Sequence, residues 1–389
     1  MQEKSIPAQE VLKELKTKLE KDLSFNSGKI IGSMCTNPHP IAKKAFCLYI
    51  DKNLGDPGLF PATAEMEREV IKALGALLSN PNAVGHIVTG GTEANILALW
   101  AARNLSRQEG GKREVILPVS AHYSFEKAAD LLGLKLVKVG LNKNFQIDLE
   151  EVRKVISSKT LAIVGVAGTT SLGVVDPIPE LSEIAEKNDI YLHVDAAFGG
   201  FVLPFLKELG YNVPEFDFKL SGVSSITIDP HKMGLAPIPA GGILFRSNEL
   251  RNAISMRVSY LAGGEMEQAT LTGTRSGASL IAVWAVMRCL GWEGYRKVVS
   301  HCMFLTEKLV DAIGEVNGVE VVVPPIMNVI GLKSEVFDIK KIAKELRLRG
   351  WAVSLFPSHI RIVIMPHVKE EHVESFIKDL KDIVRKMSG

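Results

Sequence analysis

At 389 residues the chain is long enough for one large domain and a smaller companion. With 46% hydrophobic and 23% charged residues it has the make-up of an ordinary soluble globular protein, which excludes a disordered, collagen-like or membrane-embedded chain. Its 46 basic and 44 acidic residues leave a formal charge of +2, which gives no footing for nucleic acid or an anionic membrane surface.

Cys35, Cys47, Cys289 and Cys302 form no CxxC pair. Neither a disulfide framework nor a metal site is expected, and a reducing cytoplasmic setting fits. Residues 1–7 hold no apolar signal core, and no run of about 18 apolar residues exists to span a membrane.

In chain order, residues 8–24 read as a helix with Val11, Leu12, Leu15, Leu19 and Leu23 on one stripe. That stripe serves either the core or a second subunit. Residues 26–62 read as a long irregular segment, of the kind that is usually functional or lines an interface. Thr63 is a candidate cap for a helix reaching about Leu78. From residue 84 strands and helices alternate. Strands are expected at 86–88, 115–117, 136–139, 161–166, 190–194, 226–228 and 242–245. Thr89-Gly-Gly-Thr-Glu-Ala-Asn95 leads into a helix expected to run to about Arg107, and further helices are expected at 125–132, 148–156 and 178–188. This pattern predicts an α/β fold with a mostly parallel sheet covered on both faces. A long helical region spans 277–316. Strands near 319–323, 329–332, 353 and 360–364, with helices at 338–349 and 370–386, then predict a small α+β C-terminal domain. The expected organisation is an N-terminal interface segment (1–62), a large domain (63–316) and a small domain (317–389).

Four features fall at strand ends. Gly90-Gly91-Thr92 opens a helix, where free N–H groups and a positive dipole end favour an anion. A capped glycine turn explains it equally well. His122 follows a strand and offers a flat ring for stacking; a polar residue near a helix cap is as good a reading. Asp195 ends an apolar strand, where a carboxylate is costly unless paired. Ala196 and Ala197 leave open space beside it. Lys232 follows Ser225-Ile-Thr-Ile-Asp-Pro-His231 at the end of another strand. There it is either a surface charge or an amine whose pKa is lowered by desolvation for covalent chemistry. Together an anion seat, a stacking ring, a buried carboxylate and an amine suit pyridoxal 5′-phosphate.

These motifs, Gly91-Thr-Glu-Ala-Asn95, His122, His193-Val-Asp195-Ala-Ala197 and Asp229-Pro-His231-Lys232, resemble the group II pyridoxal-phosphate-dependent decarboxylases of fold type I. Asn53-Leu-Gly-Asp-Pro-Gly58 and the stretch after Ile228 resemble the short archaeal tyrosine/aspartate decarboxylases within that family. The resemblance implies an aspartate aminotransferase-like fold and a homodimer with its site at the subunit interface. It implies that Lys232 carries the cofactor, Asp195 pairs with the ring nitrogen, and Ala197 and His122 flank the ring. Gly91, Thr92 and His231 are then phosphate ligands, and Thr170 lies beside the ring. Thr274 is implied to reach the phosphate of the other subunit. Arg361 is implied to hold the substrate α-carboxylate. Tyr260 is implied to lie on a mobile loop as proton donor to the α-carbon, a role His122 shares as a candidate; an ordinary buried tyrosine is the plain reading.

The side chain of the substrate is open. Aspartate, giving β-alanine for coenzyme A, is favoured over tyrosine, giving tyramine for methanofuran, and glutamate, giving 4-aminobutyrate. A small diacid needs a second cation, for which His39, Lys43 and Arg275 are candidates. A sphingosine-phosphate-type lyase shares the same logic, but the missing membrane anchor stands against it. A non-catalytic relative is opposed by the intact site residues. A dinucleotide dehydrogenase is opposed by the absent GxGxxG turn.

Overall fold

The structure is a computed structural model that describes residues 1–106 and 111–388. Three helices precede the main sheet: α1 (Ala8–Leu19), α2 (Pro40–Leu48) and α3 (Pro61–Leu77). The sheet has seven strands: β1 (Val84–Val88), β2 (Glu114–Pro118), β3 (Lys135–Val139), β4 (Thr160–Val166), β5 (Tyr191–Asp195), β6 (Val223–Ile228) and β7 (Gly241–Phe245). Their spatial order is β1-β7-β6-β5-β4-β2-β3. Strands β2 to β6 pair in parallel, whereas β7 runs antiparallel to both β6 and β1. Connections run through α4 (Gly91–Ser106), α5 (Ser124–Leu132), α6 (Leu149–Val155), α7 (Ile178–Asn188), α8 (Leu203–Glu208) and α9 (Asn248–Asn252). Every residue of β4 and β5 is buried, as expected of parallel strands covered on both faces. The main fold is therefore the α/β architecture that the alternating pattern predicts.

A hairpin of β8 (Met256–Leu261) and β9 (Gly264–Gln268) leads into α10 (Gly277–Gly314), which is interrupted at Gly291 with a φ of 55°. A second sheet follows, from β10 (Glu320–Val321), β11 (Val329–Lys333), β12 (Ser354–Leu355) and β13 (Ile360–Val363), in the order β10-β11-β13-β12. Helices α11 (Ile339–Leu348) and α12 (Glu370–Ser388) pack on it, with Trp351 edge-on to Phe376 in their shared core.

Four local expectations need correction. The N-terminal helix stops at Leu19 rather than 24, and its apolar stripe does not join this chain's core: Leu12, Leu19 and Leu23 are about 60% exposed. Residues 26–62 are not wholly irregular, because Pro40 at the first helical position, with His39 as cap, starts α2. Pro61 does the same for α3, so Thr63 lies buried inside the first turn and does not cap it. The β8–β9 hairpin was not foreseen; its residues alternate in polarity but are mostly exposed, so they form no apolar run. The expected end of α4 at Arg107 lies outside the described residues.

Residues 30–32 run beside the second sheet. Ile30 bridges Ala352, Gly32 donates to Ala352 O at 2.7 Å, and Val363 donates to Ile31 O at 2.6 Å. This tether brings Met34 to the carboxyl ends of the parallel strands, where an open α/β sheet places its ligand site.

Candidate active site

A cavity of about 300 Å³ opens at those strand ends. The helix α4 N-terminus (Gly90, Gly91, Thr92) forms one wall. The segment after β4 adds Gly168 and Thr170, the end of β5 adds Asp195, Ala197 and Phe198, and the end of β6 adds Asp229, His231 and Lys232. His122 and Asn95 complete it. Distant sequence segments meet here because successive parallel strands end on one edge of the sheet.

Lys232 Nζ lies 3.0 Å from Asp229 Oδ2. Burial works against the ammonium, but Asp229 and Asp195 outweigh it and hold Lys232 above the ordinary lysine value. This corrects the expectation of a lowered pKa, which weighed burial alone and left out the charges of Asp229 and Asp195. Asp229 Oδ1 is buried with no hydrogen-bond partner.

Asp195 is buried. Its Oδ1 accepts the Ala197 N–H at 3.1 Å and its Oδ2 accepts Asn95 Nδ2 at 3.1 Å. His231 Nδ1 accepts the Ala240 N–H at 3.1 Å, which leaves its proton on Nε2. Burial lowers the His231 pKa, partly opposed by Asp229, so the ring is neutral. His122 is oriented in the same way, its Nδ1 accepting the Ser124 N–H at 3.2 Å; burial lowers its pKa as well. The glycines are spatially required. A Cβ on Gly91 would stand 3.0 Å from Asp229 Oδ2, and one on Gly241 would stand 2.3 Å from Gly90 Cα.

Gly91, Thr92, His122, Thr170, Asp195, Ala197, His231 and Lys232 are thus brought together. Arg361 stands one layer behind. Its Nη1 donates to Thr170 O at 2.7 Å, and its Nη2 donates to Gly32 O and to Ser354 Oγ. Its Nε is buried without a partner, and no carboxylate pairs with it among the described residues. Burial depresses its pKa. Tyr260 sits on the β8–β9 hairpin and is 85% exposed, so it is neither a buried tyrosine nor a lining residue of this chain's cavity. Thr274 lies against Gly55, also outside the cavity.

The second-cation candidates fare differently from expectation. His39 Nδ1 accepts the Ile41 N–H as the cap of α2, and burial lowers its pKa, so it is no cation. Lys43 donates to Asn37 on the exposed side. Arg275 is spent on Glu67 and on Ile87 O at 2.8 Å. Glu67 in turn accepts the Ile87 N–H at 2.9 Å, so this pair clamps β1 just before the glycine turn. Of the lining residues, Met34, Thr89, Val166 and Phe198 had no role in the sequence reading, and Asn95 and Asp229 stood only inside the motifs. Met34 arrives only through the tether to the second sheet. The strand-end position of Asp229, the same signal that singled out Asp195, would have found it.

The Glu67 pair has a measurable consequence. Burial opposes the charge, but Arg275 and His86 outweigh it and lower the pKa from 4.5 to about 2. The stability this supplies is present above pH 4.5 and is lost as pH falls towards 2, because the unfolded chain takes up the proton first. At about 1.4 kcal/mol per pH unit the pair contributes roughly 3 kcal/mol. Urea unfolding of Glu67→Gln is expected to show a flatter decline between pH 5 and 3 than the parent. An equally steep decline would refute this.

The model of the pyridoxal-dependent decarboxylase conserved domain matches residues 3–334. The chain belongs to the pyridoxal-dependent decarboxylase family. An L-aspartate/L-glutamate decarboxylase of Pyrococcus horikoshii is 54% identical over 379 residues, covering 97% of this chain and 98% of that one. A probable L-tyrosine/L-aspartate decarboxylase of Methanothermobacter thermautotrophicus is 52% identical over 363 residues, 93% and 99% of the two chains. Among solved structures, a sphingosine-1-phosphate lyase of Burkholderia pseudomallei superposes with a TM-score of 0.93 at 31% identity, covering 99% of this chain and 92% of its own. The fold is that of fold type I pyridoxal-phosphate enzymes, and this decarboxylase is a carboxy-lyase. Among the described residues no helix is long and apolar enough to cross a membrane.

The cavity fits pyridoxal 5′-phosphate. It joins a helix N-terminus without side-chain obstruction, a buried carboxylate and an amine, all lining one cavity.

Proposed function

We propose that this decarboxylase removes the α-carboxylate of L-aspartate, giving β-alanine and CO₂, and that it acts in the cytoplasm as a homodimer. The observation that carries the chemistry is the convergence of Lys232, Asp195, His122 and the Gly91–Thr92 turn on one cavity. Aspartate is favoured because it is the one substrate common to the names of the two relatives above, which otherwise name glutamate and tyrosine.

When bound, pyridoxal 5′-phosphate supplies an aldehyde for covalent attachment and a ring that accepts the electrons left by departing CO₂. Gly91, Thr92 and the His231 Nε2–H would hold its phosphate. Asp195 would hold a proton at the ring nitrogen, and Ala197 and His122 would flank the ring, with Thr170 beside it. Lys232 Nζ would provide the attachment. Its ammonium must first lose a proton, and Asp229 Oδ2 at 3.0 Å is the acceptor in reach. Arg361, a buried cation with only neutral acceptors, would orient the substrate carboxylate. His122 lies inside the cavity and would deliver the proton to the α-carbon; Tyr260 would do so only from the partner subunit. Thr274 would likewise act across the interface. The exposed stripe on α1 supports that dimer, since about half of each leucine there is left to water.

Purified enzyme with the cofactor is to be incubated separately with aspartate, glutamate and tyrosine, and the amine identified. β-Alanine is expected at a kcat/KM at least about tenfold above 4-aminobutyrate or tyramine. Faster release of either of those reassigns the substrate. No amine from any of the three rejects the proposal. Light scattering tests the dimer against the 42.4 kDa monomer mass.

A further inference from the structure

Behind Asp195 lies a cluster of polar side chains from α4, α5, β5 and β6. Asn95 Nδ2 donates to Asp195 Oδ2 at 3.1 Å and to Ser124 Oγ at 2.9 Å. Asn95 Oδ1 accepts from Thr227 Oγ1 at 2.7 Å and lies 3.0 Å from His193 Nε2. His193 Nδ1 lies 2.8 Å from Ser225 Oγ. Asn95, Ser124, His193, Ser225 and Thr227 are all at most 1% exposed. Burial, with Asp195 opposing, lowers the His193 pKa to about 4, so its ring is neutral.

The orientation of the Asn95 amide follows. Both amide hydrogens have acceptors, and its oxygen faces a hydroxyl donor and a ring nitrogen. Turned over, the oxygen would face the Asp195 carboxylate. Asp195 itself has no ion-pair partner within 4 Å among the described residues. Its side-chain oxygens rest on two neutral donors, the Ala197 N–H and Asn95. A buried carboxylate held by so few donors is sensitive to the loss of either.

We propose that Asn95 is the positioning residue for the cofactor ring: it orients the Asp195 carboxylate, so that Asp195 can keep a proton on the ring nitrogen. This rests on the reading of Asp195 given above. Thr227 and His193 fix Asn95 in turn, and Ser225 fixes His193. Asn95 does not act on substrate; it acts through Asp195.

Asn95→Asp is the informative variant. It is isosteric and keeps the acceptor for Thr227, but sets a second carboxyl against Asp195. Affinity for pyridoxal 5′-phosphate is to be measured by fluorescence titration, together with the visible spectrum of the bound cofactor, kcat and KM. A folded Asn95→Asp protein is expected to bind the cofactor at least about tenfold more weakly, with an altered spectrum. Its kcat should fall by about a hundredfold while KM stays within about threefold. In an Asp195→Asn background the same change is expected to cost less than about twofold in affinity, because no carboxylate remains to orient. A packing role would instead give the full loss in both backgrounds, and that result overturns the proposal. So does parental affinity and spectrum in Asn95→Asp. If that variant does not fold, Thr227→Val, which frees the Asn95 oxygen and leaves Asp195 untouched, carries the test: an altered spectrum is expected, and an unaltered one overturns the proposal. If Asp195→Asn alone binds the cofactor with parental affinity and spectrum, the Asp195 reading itself fails, which is a separate outcome.

Discussion

Lys232→Ala is expected to lower amine release by at least about a thousandfold, whatever amino acid is supplied. Lys232 is the only lysine among the residues that line the cavity, so no other amine there can take its place. Its position is over-determined. The Lys232 N–H donates to Asp229 O at 3.0 Å, and its ammonium meets the Asp229 carboxylate on the same turn. Two measurements accompany turnover. Borohydride treatment of the parent, loaded with cofactor, should add the reduced cofactor's mass to the peptide that contains Lys232. The variant should show no such peptide, and it should lose its cofactor on gel filtration. Undiminished turnover in Lys232→Ala would end the proposed mechanism.

Arg361 carries the second large effect. A guanidinium buried among carbonyl and hydroxyl oxygens, with no carboxylate to pair with among the described residues, is an unfinished electrostatic arrangement. On the proposed reading, the substrate carboxylate would complete it. Arg361→Lys keeps the charge but loses the planar fork that reaches Thr170, Gly32 and Ser354 together. A fall in kcat/KM of about a hundredfold is expected, expressed mainly as a higher KM. Arg361→Ala should cost more, and should also lower the melting temperature, because the Thr170 and Gly32 carbonyls lose their donor. A parental KM in Arg361→Lys, with the fold intact, would show that the carboxylate is held elsewhere.

Most of the sheet was legible because burial imposes a local pattern. Residues 161–166 form an unbroken apolar run and became β4, buried throughout. The helix at 178–188 carries its own apolar stripe and appears with the expected bounds. The hairpin at 256–268 was missed although Met256, Val258 and Tyr260 alternate with polar residues before Gly263-Gly264; its residues are mostly exposed, so no apolar run marks it. Prolines 40 and 61 fall in the segment read as irregular, yet each starts a helix. The antiparallel direction of β7 was invisible for another reason, since a strand's residues do not record the direction of its neighbours.

The candidate site divides along the same line. The residue types at strand ends, Asp195, Asp229 and Lys232 after apolar runs and glycines before a helix, stand in the sequence itself. Chemistry that needs a charge where the pattern demands an apolar residue leaves a local mark. Lys232 meets Asp229 only three residues away, but much of what surrounds the other charges is set by contacts between residues roughly 100 apart or more, such as Asn95 with Asp195 or Thr170 with Arg361. Only the tertiary structure could decide that Asn95 holds Asp195, that Arg275 braces β1 and that the α1 stripe faces outward. Electrostatic energy depends on distances of a few ångströms, and sequence separation does not fix those distances.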